Sequence, residues 1–198
     1  MPRPPRNAQP GLIYHVCSRG SNREPIYRDA FDHIVFGRLL ARFAQRQRWL
    51  VLAWVEMTNH YHLLVDIPFG GLSLGMQLLN TGYACRFNRR HAHTAHVFRN
   101  RFWSTSMRDD AHLLRTCRYI VLNPVRAGLC ERPEDWPWSS YRASAGLELT
   151  PPFLADTSVL RLFGRDPEAA RRAYREFVSQ GIPPVSDTGF QRAREPAR

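Results

Sequence analysis

Leu50-Val51-Leu52-Ala53-Trp54-Val55-Glu56-Met57, then Thr58-Asn59, then His60-Tyr61-His62-Leu63-Leu64-Val65-Asp66 is the stretch on which the fold turns. The first run is nearly continuously apolar, as a strand covered on both faces is. Thr58-Asn59 is a short connection, and the second run returns as its hairpin partner. Residues two apart in a strand share a face, so His60 and His62 project together while Tyr61 and Leu63 turn the other way. Two imidazoles side by side can hold one metal ion. They can equally be two exposed or hydrogen-bonded histidines at a strand start, and this stretch alone leaves both readings open.

Outward from the hairpin, Leu12-Ile13-Tyr14-His15-Val16-Cys17 alternates with aromatic and β-branched residues and predicts a first strand, stopped by Ser18-Arg19-Gly20. Asp29 offers an N-cap for a helix over about 31–48, whose apolar stripe includes Phe31, Ile34, Leu39, Leu40 and Phe43. Beyond Pro68-Phe69-Gly70-Gly71, Ser73 is positioned to cap a helix over about 73–92. Val97-Phe98 and Phe102–Met107 predict a further strand or hairpin. Asp109-Asp110 begin a helix to about 122, with Leu113, Leu114, Cys117, Ile120 and Val121 facing the core, and Pro124 disfavours its continuation. Its other face carries His112, Arg115, Thr116, Tyr119 and Asn123, an aromatic hydroxyl and an amide one turn apart. The order β-α-β-β-α-β-α closes naturally as an α+β, ferredoxin-like split β-α-β antiparallel sheet with helices on one face. Segments 155–163 and 167–180 add a C-terminal helical appendage. The chain therefore divides into a flexible segment 1–11, a domain 12–146, an appendage 147–180 and a disordered tail 181–198.

All 28 basic residues are Arg, and the net charge is +11. Residues 1–108 hold 15 Arg against five acids, a net of +10, whereas 109–198 hold 13 against 12, a net of +1. No acid occurs between Ile67 and Met107, while Arg86, Arg89, Arg90, Arg99 and Arg101 stand among Tyr83, Phe87, Phe98, Phe102 and Trp103. Guanidinium groups among aromatics suit a nucleic-acid strand, its phosphates neutralised and its bases stacked. A solvated helix face beside a buried aromatic set gives the same letters. Cys17, Cys85, Cys117 and Cys130 form no C-x-x-C pair, so neither a zinc knuckle nor a disulfide framework is suggested. With no run of membrane-spanning length and no signal-like apolar region, a cytoplasmic protein that binds no membrane is expected.

Several motifs lie in order along the chain: Tyr14-His15-Val16-x-Ser18-Arg19-Gly20, Met57-x-Asn59-His60-Tyr61-His62-Leu63-Leu64, Phe87-Asn88-Arg89-Arg90-His91, Val97-Phe98-Arg99-x-Arg101-Phe102, Arg118-Tyr119-Ile120-x-x-Asn123-Pro124-Val125-Arg126-Ala127-Gly128-Leu129 and Trp138-Ser139-Ser140-Tyr141. Together, over about 12–146, they resemble the REP-associated tyrosine transposases, relatives of the IS200-like single-tyrosine transposases of the HUH nuclease group. The resemblance implies that His60 and His62 are paired metal ligands, Asn123 a third polar ligand and Tyr119 a nucleophile carried on a helix. It implies a divalent metal, Mg²⁺ or Mn²⁺, that polarises the scissile phosphate. The products would be a free 3′-hydroxyl and a 5′-phosphotyrosine, so that single-stranded DNA near a hairpin of a palindromic repeat is cut and rejoined without ATP. Two imidazoles and an amide are softer than Mg²⁺ prefers, so the metal's identity rests on the resemblance. The DNA contacts expected are Arg19, Arg86, Arg89, Arg90, Arg99, Arg101, Arg115 and Arg126. A monomer is favoured over a homodimer. Thr58 and Tyr61 depart from the family's usual Pro and aliphatic residue, though neither is a ligand position.

His15 and Glu56 read as supporting residues, and His112 as a helix-surface histidine. The competing functional class is a domesticated hairpin-binding protein without catalysis. Loss of His60, His62 or Tyr119 would mark it, and all three are present. A structural zinc protein has only two convincing ligands.

Overall fold

A computed structural model describes residues 8–183. Strands β1 (Ile13–Arg19), β2 (Leu50–Glu56), β3 (His60–Asp66) and β4 (Trp103–Ser106) alternate with helices α1 (Ala30–Gln47), α2 (Leu72–His91) and α3 (Asp110–Val121). They form one four-stranded sheet in the order β2-β3-β1-β4, every neighbouring pair antiparallel. This is the expected α+β, ferredoxin-like arrangement. Short helices α4 (Asn123–Arg126), α5 (Tyr141–Ser144) and α6 (Asp156–Leu160) and the longer α7 (Pro167–Ser179) complete the chain.

The helices do not share one face. The β2–β3 hairpin is covered on both sides, which is why its two strands are apolar at nearly every position. On one side Val51, Trp54, Tyr61, Leu63 and Val65 meet α1 and α2 through Phe36, Leu40, Met76, Leu79 and Tyr83. On the other, Leu52, Ala53, Val55 and Leu64 meet α3 through Leu113, Cys117, Ile120 and Val121. Leu52 and Ala53 can both face α3 because the pairing of β2 with β3 shifts register between Val51 and Ala53. Helices α6 and α7 supply Val159, Leu160, Ala170, Tyr174 and Val178 to this second core, so the C-terminal helices pack as part of it.

Other local expectations change for identifiable reasons. Gly71, in the left-handed region at φ 76°, caps α2 in place of Ser73. A strand forms only at Trp103–Ser106, while Phe98 makes one bridge to Gly20. Thr116 is buried, on the core side of α3. Pro124 does not end the path: Leu122 relaxes to φ −90°, ψ 0°, and α4 starts at Asn123 with Pro124 in its first turn, where a missing N–H costs nothing.

Trp138-Ser139-Ser140-Tyr141 closes the outer edge of β2. Val55 bridges Ser139, Glu56 N–H donates to the Trp138 carbonyl at 2.9 Å, and Ser140 N–H donates to the Trp54 carbonyl at 2.9 Å. Leu154 bridges Val51 further along. An edge so covered offers no free ladder to another chain. Residues 8–11 are pinned through Gln9 N–H to the Tyr14 hydroxyl at 2.9 Å and Gly11 N–H to the Ile67 carbonyl at 2.9 Å. The rest of the expected flexible N-terminal segment, and the expected tail beyond 183, lie outside the described residues.

Candidate active site

His60 and His62 lie on the α3 side of β3, their ring centroids 5.0 Å apart with planes at 90°. The residue before them sets the first ring. Asn59 donates from Nδ2 to the Arg23 carbonyl at 2.9 Å, which turns its Oδ1 toward His60 Nδ1 at 2.8 Å. His60 must then donate from Nδ1, leaving the Nε2 lone pair for a ligand. The second ring is set from β1, where His15 Nε2 lies 2.9 Å from His62 Nδ1. Gly20 locks the turn that follows β1, its N–H donating to the Asn59 carbonyl at 2.8 Å. A Cβ there would stand 2.3 Å from the Glu24 carbonyl oxygen, so no larger residue fits.

Tyr119, on α3, is 39% exposed and reaches over this group. Its ring centroid is 5.6 Å from His62 and 6.1 Å from His15. Arg126 places its guanidinium 5.5 Å above the same ring. Asn123, half-buried one turn on, donates from Nδ2 to the Tyr119 carbonyl at 3.4 Å.

The imidazoles are held neutral. Burial, followed by the repulsion of Arg19, pushes His60 down to about 4. Burial and then His112 push His15 down to about 4. His62 is lowered well below its ordinary 6.5 by burial first, then by His15, His60 and Arg19. A neutral imidazole has a lone pair to give, so this pair fits a divalent cation. Among the described residues no three His, Cys, Asp or Glu side chains converge as a closed cage. An ion held here would therefore keep positions open for an amide oxygen, water or phosphate, as catalytic sites do and structural ones do not.

The family model described as "Transposase IS200 like" matches residues 8–123, a span that contains both histidines and Tyr119 and ends on Asn123. The chain belongs to the IS200-like transposase family. It is 30% identical over 106 residues to a Haemophilus influenzae protein named as a REP-associated tyrosine transposase, and 24% identical over 105 residues to the Escherichia coli protein of that name. The matches take in 48% and 50% of this chain and 60% and 58% of those proteins, so the chain spans less than two thirds of either relative. A solved REP-associated tyrosine transposase bound to a REP hairpin shares the fold, with a TM-score of 0.62 at 19% identity, covering 78% of this chain and 92% of that one.

In this member of the family the arginines divide between the two faces. Arg19 is the cross-strand partner of His60, and Arg126 covers Tyr119. Arg99 and Arg101 are exposed on the loop before β4, where Arg99 N–H donates to the Arg19 carbonyl at 3.0 Å. Arg115 is exposed one turn before Tyr119 on α3. Arg86, Arg89 and Arg90 belong to α2, on the other face of the sheet. Arg90 is committed elsewhere, contacting Asp29 at 2.6 Å and Asp32 at 2.7 Å, and so clips the end of α2 to the start of α1. Glu56 also points away from the site. It pairs with His33 at 2.9 Å, and that ring is stacked between Tyr27 at 4.2 Å and Trp138 at 4.4 Å. Two site-facing residues escape a reading by spacing alone: Asn59 as the orienter of His60, and Trp103, whose ring lies 5.4 Å from His15.

Proposed function

We propose that this member of the family is a metal-dependent DNA transposase and endonuclease, cutting and rejoining single-stranded DNA beside hairpins of palindromic repeats. The observation that carries the reading is the placement of Tyr119 against the His60–His62 pair, brought from a different element onto the same face. A divalent ion, Mg²⁺ or Mn²⁺, held by His60, His62 and Asn123 would neutralise charge on the scissile phosphate. The Tyr119 oxygen attacks phosphorus, the bond to the 3′-oxygen breaks, and the phenolic proton ends on the released 3′-hydroxyl. The tyrosyl ester to the 5′-phosphate keeps the bond energy, so a 3′-hydroxyl can reverse the step on a new strand. Arg126 and Arg19 flank the phosphate, and Arg99, Arg101 and Arg115 extend the positive surface along the strand. Arg86 and Arg89, on the α2 side, would meet the DNA only where it wraps past the sheet. The family relatives' names and the hairpin held by the structural neighbour favour hairpin DNA as the partner. That the protein acts as a monomer rests on the resemblance to the repeat-associated transposases alone.

The test is covalent capture. A hairpin oligonucleotide with a single-stranded flank, incubated with Mn²⁺, should give an adduct that survives a denaturing gel, disappears with EDTA and is absent for Tyr119→Phe. An adduct that persists in Tyr119→Phe overturns the nucleophile. Hairpin binding with no adduct in any divalent metal identifies a binding protein that does not cut.

A further inference from the structure

We propose that Trp103 is a stacking platform for one unpaired base of the DNA strand whose phosphate is presented to Tyr119. The inference rests on the proposed function and adds to it a base-binding position within the same site.

The register fixes where Trp103 points. Cys17 on β1 is opposite His62 on one side and Trp103 on the other, so the three stand in one row across one face. His15, two residues back, pairs with Leu64 and Thr105 on that same face. Helix α3 packs on β2 and β3 and leaves the β1–β4 half of the face carrying His15, Cys17, Arg19 and Trp103. Of the five tryptophans, Trp49 and Trp54 are buried and Trp136 and Trp138 half-buried, whereas Trp103 is 52% exposed.

A single exposed apolar side chain is ordinary and needs no function. Trp103 differs in what holds it. Its ring sits 5.4 Å from that of buried His15 with planes at 85°, and His15 is bonded to His62 and lies 6.1 Å from Tyr119. The indole thereby touches the site while about half of its surface meets solvent. A shallow depression runs round the β4 edge beside it, from Trp103 and Thr105 on this face to Tyr14 and Ser104 on the other. The two ring spacings set a base on Trp103 within about three stacked nucleotides of the phosphate at Tyr119. Arg19 lies on the same face, and the sequence has no acid between Ile67 and Met107 to repel a backbone there. An exposed aromatic on a sheet face, flanked by guanidinium, is the arrangement that holds unpaired bases in single-strand binders.

The experiment measures binding of a fluorescent hairpin oligonucleotide with a single-stranded flank, in EDTA and in the Tyr119→Phe background, so that no strand is cut. Trp103→Ala should weaken binding by about 5- to 150-fold, and Trp103→Phe, which keeps a ring, should retain most of it. An abasic site moved along the flank should, at one position, weaken the Trp103 protein by the same factor and leave Trp103→Ala no weaker than before. Binding of Trp103→Ala within twofold of the parent, or losses that add at every position, overturns the platform. If Trp103→Ala does not fold, the Trp103→Phe and Trp103→Leu pair carries the same comparison. Tighter binding of an RNA of the same sequence overturns the assignment to DNA. In parallel, the Mn²⁺ adduct assay on the unmodified protein separates the two failures. An adduct with no Trp103 effect sinks only the platform, whereas neither adduct nor binding sinks the proposed function and the platform with it.

Discussion

At the scale of single residues, the site depends on groups that never touch a phosphate. His60 presents a free Nε2 lone pair because Asn59 Oδ1 accepts a hydrogen bond from its Nδ1–H, and Asn59 can do so because the Arg23 carbonyl holds its amide the right way round. His62 offers its Nε2 lone pair when its Nδ1–H donates to His15 Nε2, 2.9 Å away, an arrangement in which His15 carries its own proton on Nδ1. Asn59→Ala and His15→Ala should each lower Mn²⁺ affinity by about 10- to 100-fold. The electron paramagnetic resonance signal of free Mn²⁺ during a titration measures it, and an unchanged affinity would show that neither residue orients a ligand. His60, His62 and Tyr119 could be recognised in the sequence because two-residue and helical spacing place them on definable faces. Asn59 and Trp103 could not, since one depends on which way an amide is turned and the other on register across β1. The ion pairs of Arg90 are hidden for a related reason: its acidic partners lie about 60 positions away, at the start of α1.

At the scale of elements, Tyr119, the proposed nucleophile, is only as well placed as α3. That helix packs on β2 and β3, with Cys117, Ile120 and Val121 in one cluster with Tyr174 and Val178 of α7, and Arg118 donates to the Phe177 carbonyl at 3.2 Å. Tyr174 is 1% exposed and meets the tilted ring of Tyr141 at 6.0 Å and, edge to face, that of Phe163 at 5.8 Å. Tyr174→Ala should therefore cost about 3–5 kcal/mol of stability, the range for emptying a buried aromatic site. Phe36→Ala, on the opposite core between α1 and Tyr61, should cost a similar amount. The two differ in function. Tyr174→Ala loosens the seat of Tyr119 and should slow adduct formation, whereas Phe36→Ala should leave the adduct rate of the folded protein near that of the parent. Urea unfolding gives the first quantity and single-turnover capture below both melting transitions gives the second; equal rates for the two variants would mean that α7 does not position α3. The strands and long helices follow from periodicity, but the destination of α7 does not. Its apolar stripe announces that it is buried against something, and nothing in the stripe distinguishes a separate helical appendage from a seat in the second core.

At the scale of the molecule, burying neutral histidines makes the fold sensitive to acid. His15, His33 and His60 are pushed down to about 4, each chiefly by burial, and His62 well below 6.5 for the same leading reason. The unfolded chain protonates these groups below their ordinary 6.5, while the folded chain resists until near 4, so stability is present above 6.5 and is lost as the pH falls between those values. Glu56 works in the opposite sense, because burial raises it well above 4.5 and the folded chain keeps a proton that the unfolded chain releases. The imidazoles outnumber the opposing carboxyl, so unfolding takes up protons between pH 6.5 and about 4, and stability falls through that window. A domain of this size has only about 5–15 kcal/mol to lose. In EDTA, the urea midpoint should fall steeply from pH 6.5 to 5, and the protein should unfold without denaturant before pH 4. Added Mn²⁺ should shift that transition to lower pH, because the ion binds the deprotonated imidazoles of the folded state alone. A midpoint that stays level from pH 6.5 to 5 would show that the folded chain protonates these histidines as readily as the unfolded chain does, and that burial does not hold them neutral.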